Sequence, residues 1–182
     1  MLQEFTKQVE ETARAVVNDV HTALPGVIVS YNPDKGTVTV QPKGKYITAD
    51  GYGLSYPQIT DVPVAFPYCQ NSNVGMVFPI KKNDNCMIIV SEVELDEWRS
   101  GAESEAPLRF DLTSAMAIPD LMLGGCAAMK KAVAQDAVVI VAKSAEIVVS
   151  DGRVAITADV TINGNISVNG DFSVSGGVVN LN

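Results

Sequence analysis

The 182-residue chain is short of histidine, aromatic residues, cysteine and positive charge, and each shortage closes off a class of function. A single histidine, His21, removes most His-based metal sites and weakens any scheme that pairs a nucleophile with an imidazole base. Basic residues number 13 against 21 acidic ones, a net charge of −8. That balance works against binding a phosphate backbone, which needs a clustered basic face, so no nucleic-acid partner is expected. Cys69, Cys86 and Cys126 are odd in number, widely spaced and free of any C-x-x-C pair, and read as reduced thiols of a protein made in a cytosol. No apolar run approaches the roughly 18 residues that a membrane-spanning helix needs. Charges scattered through residues 1–24 leave no apolar core for a signal peptide. What is present is 47% apolar and 19% charged residues, enough to build a core, over a length that suits one domain or two small ones. Such a composition does not predict an ordinary enzyme.

Four regions follow from pattern and composition. In residues 1–23, Leu2, Phe5, Val9, Ala13, Val16, Val17 and Val20 recur at steps of three and four and predict a helix ended by Pro25-Gly26. Its apolar seam is nearly heptad-like, so it either packs on its own domain or docks on a partner, including copies of itself. Residues 24–120 read as all-β. Val27–Tyr31, the turn Asn32-Pro33-Asp34-Lys35-Gly36 and Thr37–Gln41 form strand, turn and strand. Further strands are expected at Asp61–Phe66, Gly75–Ile80 and Cys86–Val90, with Glu92–Arg99 a short helix or loop. That number of short strands suits a small OB-like barrel better than a βαβ sheet. Residues 121–135, with Gly124-Gly125, an Ala-rich stretch and Lys130-Lys131, change composition in the manner of a linker.

The last region, 136–182, is the most regular. From Val154 to Val178 the even positions are Val154, Ile156, Ala158, Val160, Ile162, Gly164, Ile166, Val168, Gly170, Phe172, Val174, Gly176 and Val178, while Thr, Asn, Ser and Asp dominate the odd ones. This is strict period-two alternation, with a six-residue repeat laid over it that returns glycine at 164, 170 and 176. Each hexad offers two aliphatic side chains, too few for an independent core, so burial must come from neighbouring repeats or other chains. Glycine in the inward phase permits a bend or a narrow interior. Three architectures compete. Asn163-Gly164 and Asn169-Gly170 suit the turns of a single-chain meander. A left-handed parallel β-helix carries similar hexads but needs many coils. An intertwined β-helix of three identical chains buries every apolar position on one axis and leaves few free edges, and the composition favours it. Its expected core is Val154, Ile156, Val160, Ile162, Ile166, Val168, Phe172, Val174 and Val178, with Gly164, Gly170 and Gly176 as inward bends.

Residues that invite sharper chemistry have plain alternatives. His21 reads as a helix-end residue near a domain contact. Tyr46, Tyr52 and Tyr56 with Lys43 and Lys45 form the one cluster suited to binding a sugar or single strand, yet region 24–120 holds 7 basic against 12 acidic residues. A loop contacting another protein is the simpler use of those tyrosines. The spacing of Asp50, Asp61 and Asp84 supports no glycosidase pair. Trp98 reads as an anchor for the segment after the barrel, and Lys130-Lys131 as a solvated junction. No catalytic, cofactor or metal residue is assigned.

An OB-like barrel followed by a glycine-marked β-helix resembles the central spike proteins of contractile-tail bacteriophages and related particles. Ile59-Thr60-Asp61-Val62-Pro63-Val64 is similar to that family's barrel strand. Pro79–Glu92 is similar to its proline–strand–turn–strand segment, with Asn83 where a turn glycine is common. Asp96-Glu97-Trp98-Arg99-Ser100-Gly101 and Arg109–Pro119 resemble its closing signature. The resemblance implies a homotrimer at the baseplate of the virion tail, synthesised in the host cytoplasm, whose barrels join the tail hub. Its needle would pierce the host outer membrane when the sheath contracts. Many such spikes end in a His-x-His pair that holds iron. Here the C-terminus is Val178-Val179-Asn180-Leu181-Asn182, and Val179 and Leu181 shift the apolar phase. No metal apex carries over, and a blunt needle or a separate tip protein is expected. The alternative is a carbohydrate- or ligand-binding module that recognises a receptor.

Overall fold

The computed structural model describes residues 2–48, 50–103 and 110–177 and is mainly β, with a helix at the N-terminus. Two compact units divide the chain, 1–123 and 124–182. The first begins with α1 (Leu2–Asp19), whose end differs little from the expected helix over 1–23.

A five-stranded antiparallel sheet follows. It comprises β1 (Ala23–Asn32), β2 (Thr37–Pro42), β5 (Ile59–Pro63), β8 (Asn85–Val90) and β9 (Ala115–Pro119), in the order β5-β2-β1-β8-β9. The β1–β2 connection is the expected turn. Asn32 Oδ1 accepts hydrogen bonds from the Asp34 and Lys35 amides, and Gly36 takes a φ of 66°, which glycine adopts without strain. Two short hairpins branch from the sheet: β3 (Lys45–Ile47) with β4 (Gly53–Ser55), and β6 (Tyr68–Cys69) with β7 (Val74–Gly75).

Alternation sets the buried face. In β8, Cys86, Ile88 and Val90 point inward while their neighbours are half-buried, and β9 buries Ala115 and Ala117 in the same way. Together with Ile28, Val38, Val40, Val62 and Ile80 these side chains form one core, with Ile28, Val40, Cys86 and Ile88 wholly inaccessible to water. The sheet curls into a half-barrel around them. Its two edges meet where Val64 bridges Ala117 in parallel and the Ala65 amide donates to the Ala117 carbonyl at 2.9 Å.

Two of the expected strands are shorter in the structure. The expected strand Asp61–Phe66 is β5, which ends at Pro63, and the chain then crosses to the far edge through that single bridge. Of Gly75–Ile80 only Gly75 is paired, although Ile80 is buried in the core. The segment Glu92–Arg99, expected as a short helix or loop, takes the helical form: α2 (Leu95–Ser100) begins within it and is closed by Gly101 at a φ of 83°. Arg109 lies outside the described residues.

In the second unit, the stretch expected as a linker contains α3 (Ala127–Gln135), because Ala127, Ala128, Ala132 and Ala134 are strong helix formers. A meander of β10 (Val138–Ala142), β11 (Ala145–Ser150) and β12 (Arg153–Thr157) follows. Of the alternating stretch from Val154, only residues up to Thr157 are paired; residues 158–177 form no ladder among the described residues.

Candidate functional site

The meander has two unlike faces. Register places Val138, Val149 and Val154 side by side in one row, and Ile140, Ile147 and Ile156 in the next. Directly opposed residues of antiparallel strands share a face, so these six aliphatic side chains form one continuous patch. All six are exposed, Val138 at 64% and Val154 at 62%. On the reverse face, Val139, Val148 and Ala155 align, and Glu146 stands beside Thr157. There α3 supplies cover: Lys131 Nζ lies 2.6 Å from Glu146, and Lys131 and Gln135 line a cavity of about 210 Å³ with Val148, Ser150, Arg153 and Ala155. The lysine read from sequence as a solvated junction is therefore half of an ion pair. Its partner lies 15 residues further on, which no local pattern announces.

The aliphatic face runs on into the hexads. A depression of about 350 Å³ joins Ile140, Ile147 and Ile156 to Ala158 and Val160, the first even positions beyond the meander. Val160, Ile162, Ile166, Val168, Phe172 and Val174 are likewise exposed in the single chain, Phe172 at 71%. Val178 lies outside the described residues. Gly164, Gly170 and Gly176 all take positive φ, 156°, 137° and 77°, and a Cβ added at any of them would meet nothing within 4 Å in the single chain. Sequence reasoning named Val154 and Ile156 of the meander face and missed Val138, Ile140, Ile147 and Val149. The signal was the run Val138-Val139-Ile140-Val141-Ala142, apolar on both faces of a strand.

The barrel unit scatters its sequence candidates. Tyr46 and Tyr52 stay exposed on and beside the β3–β4 hairpin. Tyr56 instead packs edge-on against His21, ring centres 5.6 Å apart, while its carbonyl accepts from Gln41 Nε2 at 2.8 Å. Asp61 accepts from Thr37 Oγ1 at 2.9 Å, and Asp84 accepts from the Lys81 amide at 2.6 Å, so each carboxylate serves its own local structure. Among the described residues, no three His, Cys, Asp or Glu side chains converge as a metal site. Trp98 is not the anchor expected of it. Leu95 takes that place, buried at the start of α2, and leaves the indole 70% exposed. Trp98 borders two depressions of about 710 and 1010 Å³ that share Lys35, Val64, Ala65 and Gln70. Among the described residues, no helix is long and apolar enough to cross a membrane.

Comparison with known families bears on the half-barrel. The model of the phage protein Gp138 N-terminal domain matches residues 24–120. No curated protein matches the chain. The matched stretch opens within β1 and closes just past β9, and so takes in all five strands of the curled sheet. The match indicates a virion-associated, baseplate-related phage protein with a structural role in the tail. Since it spans more than half of the sequence, the chain belongs to the Gp138 N-terminal domain family of phage proteins.

Proposed function

We propose that this protein is the central spike of a contractile phage tail, a homotrimer whose C-terminal repeats wind into a β-helical needle. One observation carries the reading: exposed aliphatic side chains that start on the meander and continue through the even positions of the hexads with no partner among the described residues. Soluble monomers rarely expose continuous apolar surface on this scale, and an assembly interface is its usual meaning. Three copies around one axis cover every such position at once. They also give the unpaired backbone of residues 158–177 the interchain hydrogen bonds it lacks within the chain. The glycine positions then fall where backbones approach most closely.

The function that follows is mechanical. The half-barrels seat the trimer on the tail hub, and the needle meets the host outer membrane first when the sheath contracts. Such a device needs neither active site nor cofactor. Sedimentation equilibrium tests the assembly. A mass three times 19.3 kDa supports the needle. Replacing Ile166 or Val168 by Asp is expected to return the monomer, because an unpaired charge on a dry axis costs several kcal/mol. A monomeric wild-type protein overturns the reading, as does a trimer indifferent to both substitutions.

The exposed indole of Trp98 favours a second reading, in which the half-barrel binds an oligosaccharide and the protein recognises a receptor. Indole faces pack against sugar rings, and Gln70, Asn71 and Arg99 beside it offer amide and guanidinium groups. Titration of tryptophan fluorescence with host surface glycans separates the two. Saturation at micromolar concentration, lost in Arg99→Ala, which keeps the sole tryptophan, supports binding, whereas a flat titration excludes it.

A further inference from the structure

The N-terminal helix carries a pattern that neither the barrel nor the needle uses. Every residue from 3 to 17 of α1 is exposed, including Phe5 and Val16 on its apolar side. An 18-residue helix standing alone is marginal in water, since most helical stability in proteins comes from packing an apolar face. This face therefore needs a cover, and its spacing says which.

Leu2, Phe5, Val9, Ala13, Val16 and Val20 are separated by 3, 4, 4, 3 and 4 residues. That is an 11-residue repeat, three turns at about 3.67 residues each, close enough to the relaxed helix to keep one straight seam along its whole length. A helix resting on a curled sheet needs contact over only a turn or two. A full-length seam suits a helix that runs beside others with the same repeat. None of the six charged residues of α1 falls on the seam; Lys7 and Glu11, for instance, pair with each other on the outer side at 3.7 Å.

We infer that α1 forms a parallel three-helix bundle with the α1 helices of two further copies of this chain, clamping the trimer through its N-terminal helices. The inference rests on the trimeric reading above. A homotrimer delivers three identical repeats in register, so Phe5 meets Phe5 and Val16 meets Val16. The 11-residue period implies a slight right-handed supercoil.

Site-directed cross-linking of the whole protein tests this. In a background with Cys69→Ser and Cys126→Ser, Ala13→Cys places a thiol on the seam and Glu11→Cys places one outside it. Under mild oxidation, Ala13→Cys is expected to give covalent dimers inside an intact trimer, because three thiols around one axis pair two at a time. Glu11→Cys should link on the order of tenfold more slowly, lacking the high effective concentration of the seam. An intact trimer in which Ala13→Cys stays unlinked, or links no faster than Glu11→Cys, overturns the bundle and spares the needle. A protein that sediments as a monomer overturns both.

Discussion

Lys131 Nζ lies 2.6 Å from one oxygen of Glu146 and 2.7 Å from the other, tying α3 to the central strand of the meander. The carboxylate is the more enclosed partner, so removing the lysine leaves a shielded negative charge without its cation. A part-exposed pair of this geometry is worth about 1 kcal/mol. Lys131→Gln is therefore expected to raise amide exchange in α3 by roughly fivefold while leaving the half-barrel amides unchanged. Unaltered exchange in α3 would mean that its packing on β10 alone holds it.

The cysteines should differ in reactivity by position. Burial pushes the Cys86 thiol up to about 11, so at pH 8 it is both protonated and out of reach. Cys69 is exposed at the tip of the β6 strand. Alkylation at pH 8 followed by peptide mass mapping is expected to label Cys69 within minutes and Cys86 only in denaturant. Labelling of Cys86 in the folded protein would show that the half-barrel opens readily.

Asp120 closes the half-barrel in a left-handed conformation, φ 70°, with its amide donating to the Asn85 carbonyl at 2.8 Å. Desolvation raises its carboxyl above the ordinary range, and the nearby Asp84 carboxylate adds to the rise. A raised folded-state value means that the folded protein holds this proton more tightly than the unfolded chain does. The proton's contribution to stability is present at low pH and is lost as pH climbs through the ordinary carboxylate value, near 4, to the raised one. Asp120→Asn keeps a residue that tolerates positive φ and removes the charge. It is expected to raise the thermal midpoint at neutral pH, with a gain that shrinks below pH 4. A gain independent of pH would point to a cause other than this carboxyl.

Legibility followed the length and period of each element. Strands β1, β2 and β8 were legible as strands from their β-branched and apolar runs, but the run in β8 is apolar on both faces and did not say that Cys86 and Ile88 point inward. Hairpins of two or three paired residues, β3–β4 and β6–β7, have no room for a period and left no trace. Helix α3 was signalled by its alanines, but its docking was hidden because Lys131 reaches Glu146 across 15 residues of sequence. The hexads were legible as a repeat and illegible as a structure. Alternation states which side chains would share a side of a strand, but among the described residues, 158–177 join no ladder.

Ile147 and Val148 are neighbours in β11 that face opposite ways, which makes them a matched test of the two sides of the meander. Val148 is buried on the side that α3 covers, whereas Ile147 stands in the open aliphatic row between Ile140 and Ile156. A carboxylate at Val148 would be enclosed without a partner, a cost of several kcal/mol that a meander of three short strands cannot absorb. Val148→Asp is expected to remove the β-sheet signal of the second unit and expose it to protease. A carboxylate at Ile147 costs the isolated chain little, because water already reaches that position. Ile147→Asp should therefore leave each chain folded and protease-resistant while stopping assembly, giving a soluble species near 19.3 kDa by sedimentation. If Ile147→Asp assembles like the wild type, the aliphatic rows are not the contact between copies, and the axis involves the hexads alone.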